Sequence, residues 1–170
     1  VTLSAGQSAV VDVTVLVPTG VLSGTVDTTH LTATSVTEPA LSRQVSDTTT
    51  VSFKPGLTLT PASAVEQVAP DQTYTYDRLL TNTGNYTDTI NLSLASAHGW
   101  SSLVTAGPVV LPMGGSTSVT IRVIVPPHSA GETETCTLTA TSAGGAGPMT
   151  AELTLMVPGD TIFLPLIQRN

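Results

Sequence analysis

The stretch Val109–Ser142, "VVLPMGGSTSVTIRVIVPPHSAGETETCTLTATS", decides how the chain folds. Val119, Ile121, Val123 and Val125 alternate with Thr120, Arg122 and Ile124. Successive side chains of a strand point to opposite faces, so this spacing predicts a strand with one face in a core. Pro126-Pro127 ends it. A second alternating run follows, with Cys136, Leu138 and Ala140 in phase.

The same stretch occurs twice. Val1–Ser35, "VTLSAGQSAVVDVTVLVPTGVLSGTVDTTHLTATS", repeats it in order. Leu3 matches Leu111, Gly6 matches Gly114, and Val11, Val13, Val15 and Val17 match Val119, Ile121, Val123 and Val125. Pro18 matches Pro126; after a one-residue gap Gly24 matches Gly131, and "LTATS" recurs at Leu31 and Leu138. A fixed repeat of this length signals an array of like units. The second copy is preceded by about 50 residues that the first lacks, half a sandwich-sized unit. We expect residues 1–53 to be the C-terminal half of one repeat and 54–158 a whole one. An apolar tail, 159–170, follows. The opening valines read as strand from the start, as in a piece of a longer protein. The link Lys54-Pro55-Gly56 is short and turn-prone, and tight tandem units would form a stiff rod.

The whole repeat reads as about seven short strands with turn signals between them, an all-β, immunoglobulin-like sandwich. They run over Leu57–Thr60 and Val65–Ala69 (one strand broken at Pro61), Thr73–Thr81, Tyr86–Ala95, Ser116–Val125, Thr133–Ser142 and Met149–Val157. Short pieces are expected at Ser102–Val104 and Val109–Leu111. Roughly thirty threonines, together with abundant valine, suit pleated surfaces. Aromatics are only 4% of the chain, so the core is aliphatic. Ile90, Leu92 and Leu94 face in; Leu153, Leu155 and Val157 complete the core.

"LTNTGNYTDTINLSL" (Leu80–Leu94) connects two of these strands. Gly84 is available for a left-handed conformation and the asparagines tolerate it. The sequons at Asn85 and Asn91 are incidental. Tyr74, Tyr76, Arg78 and Leu80 share one face. Pointing inward, Arg78 needs a partner, and Asp77 or Asp88 are the candidates. A β-bulge that turns Arg78 outward is the simpler solution.

The net charge of −7 and the single lysine, Lys54, leave no basic stripe for nucleic acid. They also disfavour acidic membranes. "IFLPLI" (Ile162–Ile167) is too short to span a bilayer. Cys136 has no partner for an intrachain disulfide and reads as a small buried hydrophobe. His30, His98 and His128 show no metal spacing, and no serine sits in a nucleophile motif. A weak cation site at Asp71, Asp77 or Asp88 is conceivable. Neither a catalytic residue nor a cofactor is expected. Trp100 is expected to plug one end of the sandwich; stacking on a sugar is the functional alternative for Trp100, with Tyr86 as a second possible ligand contact.

The run of Asn82 and Gly84, Asp88-Thr89-Ile90-Asn91-Leu92, Gly99-Trp100, Leu111-Pro112-Met113-Gly114 to Pro126, and the strand from Gly131 resembles the bacterial Ig-like modules called NEW3, DUF11 and CARDB. The resemblance covers about 100 residues of the second repeat, the size of one such sandwich. Cys136 departs from it, standing where an aromatic is frequent, as does Arg78. It implies a non-catalytic spacer within a secreted or surface-exposed bacterial protein, partnered by that protein's other domains. The alternative is a carbohydrate- or protein-binding adhesion module acting through loops at one sandwich end, with polysaccharide as a possible partner. The half-repeat and the Ile162–Ile167 tail also raise homodimer formation or strand exchange, because open strand edges recruit strands.

Overall fold

A computed structural model of the chain describes residues 1–159, so the apolar tail lies outside the described residues. The chain divides into two units, Val1–Phe53 and Lys54 onward. No helix among the described residues is long and apolar enough to cross a membrane.

In the first unit only β1 (Val26–Thr34) and β2 (Ser42–Thr50) form a ladder, antiparallel from Val26↔Thr50 to Thr34↔Ser42. The opening valines, expected as strand, are not one. Residues 8–21 make no backbone hydrogen bond to any described residue. No residue of this unit is buried.

The second unit is an all-β, immunoglobulin-like sandwich. Its strands are β3 (Leu57–Thr60), β4 (Ser63–Gln67), β5 (Thr73–Asn82), β6 (Asp88–Ser96), β7 (Ser101–Leu103), β8 (Val109–Leu111), β9 (Ser116–Ile124), β10 (Thr133–Ser142) and β11 (Met149–Met156). One sheet is ordered β3-β5-β9-β7 and the other β4-β11-β10-β6-β8. The chain changes sheets at the cis bond Thr60-Pro61, so β3 pairs with β5 while β4 runs parallel to β11. Pro has no N–H to give a ladder, which suits it to this break.

The inward residues of both sheets meet in one aliphatic core. Leu80, Ile90, Val119, Ile121, Val123, Leu138, Leu153 and Leu155 are buried, with Cys136 and Ala140 among them. Leu92 and Leu94 pack against it while Asn91 and Ser93 face out.

One expectation fails here. β5 pairs with β9 through nine consecutive positions, Thr73↔Ile124 to Thr81↔Ser116, with no bulge. Arg78 therefore keeps the phase of Leu80 and is 3% exposed. The nine-residue ladder overrides the preference of a charge for water.

The two units share backbone detail where their sequences repeat. Gly24 N donates to Val51 O and Val51 N to Thr25 O; correspondingly Gly131 N donates to Val157 O and Val157 N to Glu132 O. Gln7 N donates to Ser4 O as Gly115 N does to Pro112 O. Gly24 and Gly131 both take positive φ, 80° and 84°. β1 and β2 thus correspond to β10 and β11.

Candidate functional site

Three polar constellations occupy the second unit, and each is built from residues the strand phase turns inward. The first lies at the β5–β6 connection. Asn82 ends β5 fully buried, and its Nδ2 donates to Tyr86 O at 2.7 Å and Leu111 O at 2.9 Å. Its Oδ1 accepts from Gly84 N at 2.9 Å. Asn85 then reaches the incoming chain: Lys54 N donates to Asn85 Oδ1 at 2.8 Å and Asn85 N to Lys54 O at 3.0 Å. Thr83 N and Gly84 N both donate to Gly56 O. The turn clasps Lys54–Gly56 onto the sandwich.

Gly84 serves this clasp by size. Its φ is not among the positive ones, contrary to expectation. A Cβ there would lie 2.8 Å from Lys54 O and 3.0 Å from Gly56 N, both backbone atoms that cannot easily shift. Close approach, not handedness, requires the glycine.

Behind the turn, Asp88 is buried and accepts from Ser142 Oγ and from Gly144 N at 3.2 Å. The Tyr86 hydroxyl lies 3.3 Å from Ser142 Oγ, and its ring rests over Gly144, where a Cβ would overlap it. Asp88 ties β6 to the loop after β10 and leaves no pairing for Arg78.

The second constellation centres on Glu134, which sequence reading missed. Its carboxylate is fully buried. It accepts from Ser96 Oγ, from His98 N at 2.8 Å and from Ser101 Oγ at 3.0 Å. His98 Nδ1 lies 3.4 Å away, and the imidazole packs on Trp100 at 5.4 Å between ring centres. Glu134 precedes Cys136 by two in β10, so the alternation that placed Cys136 inside placed Glu134 inside too. Both serine hydroxyls donate to the carboxylate itself. Neither is held against the imidazole as an activated nucleophile would be. The arrangement fastens residues 96–101 to β10.

The third is Arg78. Nη1 donates to Asp77 O at 3.1 Å, while Nε and Nη2 are buried with no acceptor among the described residues. Asp77 instead accepts from Thr120 Oγ1. Tyr74 and Tyr76 continue the same face, their ring centres 6.4 Å apart. Burial pushes the Cys136 thiol up from its ordinary 9.0, against a lowering by Ser101 and the Arg78 guanidinium. Burial, then Glu66, also pushes the Tyr76 hydroxyl up.

The residues singled out for a ligand do not meet. Tyr86 precedes β6 and Trp100 follows it, at opposite ends of a strand that rises about 3.3 Å per residue. Trp100 is 9% exposed and belongs to the core cluster. Among the described residues, no three His, Cys, Asp or Glu side chains gather as a metal site would need. His30 bonds Ser46 across the first unit's hairpin, at 2.7 Å.

No family model and no curated protein matches the sequence. Solved structures match at low identity. A protein of unknown function from Porphyromonas gingivalis W83 aligns with TM-score 0.48 and 13% identity, over 78% of this chain and 66% of its own. A family 123 glycoside hydrolase from Clostridium perfringens gives TM-score 0.49 and 8% identity over 62% of this chain; the match spans 27% of the hydrolase. SSP-19, an MSP-domain-like protein of Caenorhabditis elegans, gives 0.43 and 14% over 58% of this chain and 98% of its own.

Proposed function

We propose that the chain is a non-catalytic Ig-like spacer of a larger secreted or surface-exposed bacterial protein, of the NEW3, DUF11 and CARDB kind, that positions or stabilises a neighbouring domain. The observation that carries this reading is the clasp of Thr83–Asn85 on Lys54–Gly56. It fastens the first residues of the second unit to the sandwich, as a spacer within a longer chain requires. The polar side chains point the same way: Asn82, Asp88 and Glu134 spend their hydrogen bonds inside the fold.

The test is a glycan array and a cell-wall pulldown with the full chain, beside Trp100→Ala and Tyr86→Ala. The spacer reading expects no binding by any of the three. Reproducible binding by the parent that either substitution abolishes would overturn it in favour of the adhesion module. Turnover of a peptide or glycoside substrate by the full chain would overturn it in favour of an enzyme.

A further inference from the structure

We propose that Arg78 guards the open edge of β5 against pairing with a strand of a second copy of the chain. On one side β5 has β9 beside it from Thr73 to Thr81. On the other side β3 reaches only as far as Thr60↔Leu79, because at Pro61 the chain leaves for the other sheet. Val125 N donates to Gln72 O, which sets the phase of the β5–β9 ladder. Successive residues of an antiparallel strand bond in opposite directions. Tyr74, Tyr76 and Arg78 therefore bond towards β9, while Thr73, Thr75 and Asp77 point their N–H and C=O groups away from it. No described strand takes these groups up. Such a row is a template for pairing with another chain. It arises inside the complete repeat, from the change of sheets at Pro61.

Arg78 closes this row from within. It is 3% exposed, yet its Nη1 reaches Asp77 O at 3.1 Å, the acceptor next in line where β3 ends. Asp77 itself is exposed, and its carboxylate accepts from Thr120 Oγ1, so the edge also carries a fixed charge. A strand that continued the β3 ladder would need Asp77 O. Taking it would strip the guanidinium of the acceptor it has, since Nε and Nη2 have none among the described residues. A buried cation with no partner is highly unfavourable, so the incoming strand would meet that penalty before gaining its own bonds. Inward-pointing charges and charged side chains along an edge keep strands of different chains apart in this way. On the far side of the sandwich β7 and β8 are three residues each, too short to be good templates.

The experiment compares the full chain with Arg78→Met, with Arg78→Gln, and with Arg78→Met combined with Thr75→Pro. Sedimentation velocity over a range of concentrations and backbone amide exchange are read on the same samples. Both single variants should associate at least about tenfold more tightly than the parent. The Thr75 and Asp77 amides should slow as they do so, while in the parent these amides should exchange at a rate independent of concentration. Proline has no N–H to give a ladder, and the Thr75 N–H serves none within the fold. Thr75→Pro should therefore return Arg78→Met to the behaviour of the parent. Two single variants are used so that, if one fails to fold, the other decides. The proposal is overturned if neither associates more than the parent, or if the amides that slow are those of β4, β7 or β8. It is also overturned if Thr75→Pro leaves the association in place, as it would leave aggregation of unfolded chains.

Discussion

Arg78 is the residue whose placement departs most from what its chemistry prefers. Two of its buried nitrogens have no acceptor among the described residues, and a buried unpaired donor costs about 1–3 kcal/mol. Arg78→Met keeps the length and removes the donors, so it should raise the unfolding free energy by about that amount, read as a higher urea midpoint with the m-value unchanged. An equal or lower midpoint would mean that the guanidinium is satisfied in solution. Cys136 gives the pH dependence. Its folded pKa is raised above the ordinary 9.0, so the unfolded chain loses the thiol proton first. The stability this group supplies is full below about pH 9 and falls as pH rises through the folded value. Urea midpoints of the parent should therefore drop between pH 8 and higher pH by more than those of Cys136→Ala; parallel curves would contradict this. Strand phase had put both residues inside. For Cys136 chemistry and phase agree, so the sequence was enough. For Arg78 they conflict, and only the unbroken β5–β9 ladder shows which prevails. Glu134 was legible by the same phase in "ETETC", but a carboxylate is ordinarily read as surface, and its three donors come from residues 33 to 38 positions away.

At the scale of elements, two connections are fastened to the sandwich by buried polar groups and close backbone approach. Glu134 holds the β6–β7 connection. Glu134→Gln keeps the shape but removes the charge that strengthens each bond, and should cost about 2 kcal/mol. The His98 amide, which donates to it, should then exchange faster while β10–β11 amides keep their relative order. Uniform acceleration throughout the sheet would deny the carboxylate this local role. Asn82 and Asn85 hold the β5–β6 connection, and Gly84 lets it close on Lys54–Gly56. Gly84→Ala forces a methyl against Lys54 O and Gly56 N and should destabilise by about 1–3 kcal/mol, as overpacking does. A midpoint unchanged by the substitution would show that the clasp yields. The strands of the second unit were readable to within two residues at each end, because aliphatic alternation and Pro or Gly punctuation agree along Leu57–Met156. Val11–Val17 shows the limit of that reading. Alternation reports which face is apolar, but a strand also needs a neighbour, and no neighbour is written in the stretch itself.

For the molecule as a whole, burial divides the chain unevenly. Every buried residue lies at Leu57 or beyond, and the first unit rests on one exposed hairpin. An isolated two-stranded hairpin is marginal in water. Amides of β1 and β2 should exchange within a small fraction of the time needed for β9, β10 and β11. Equal protection in both units would show that the first is covered in solution. The same asymmetry gives the clasp a mechanical meaning. A pull transmitted through Lys54–Gly56 reaches the bonds at Thr83, Gly84 and Asn85 before it reaches the β3–β5 ladder. Those bonds act together, so the turn carries the tension as one fastening and shields the short β3 from being peeled residue by residue.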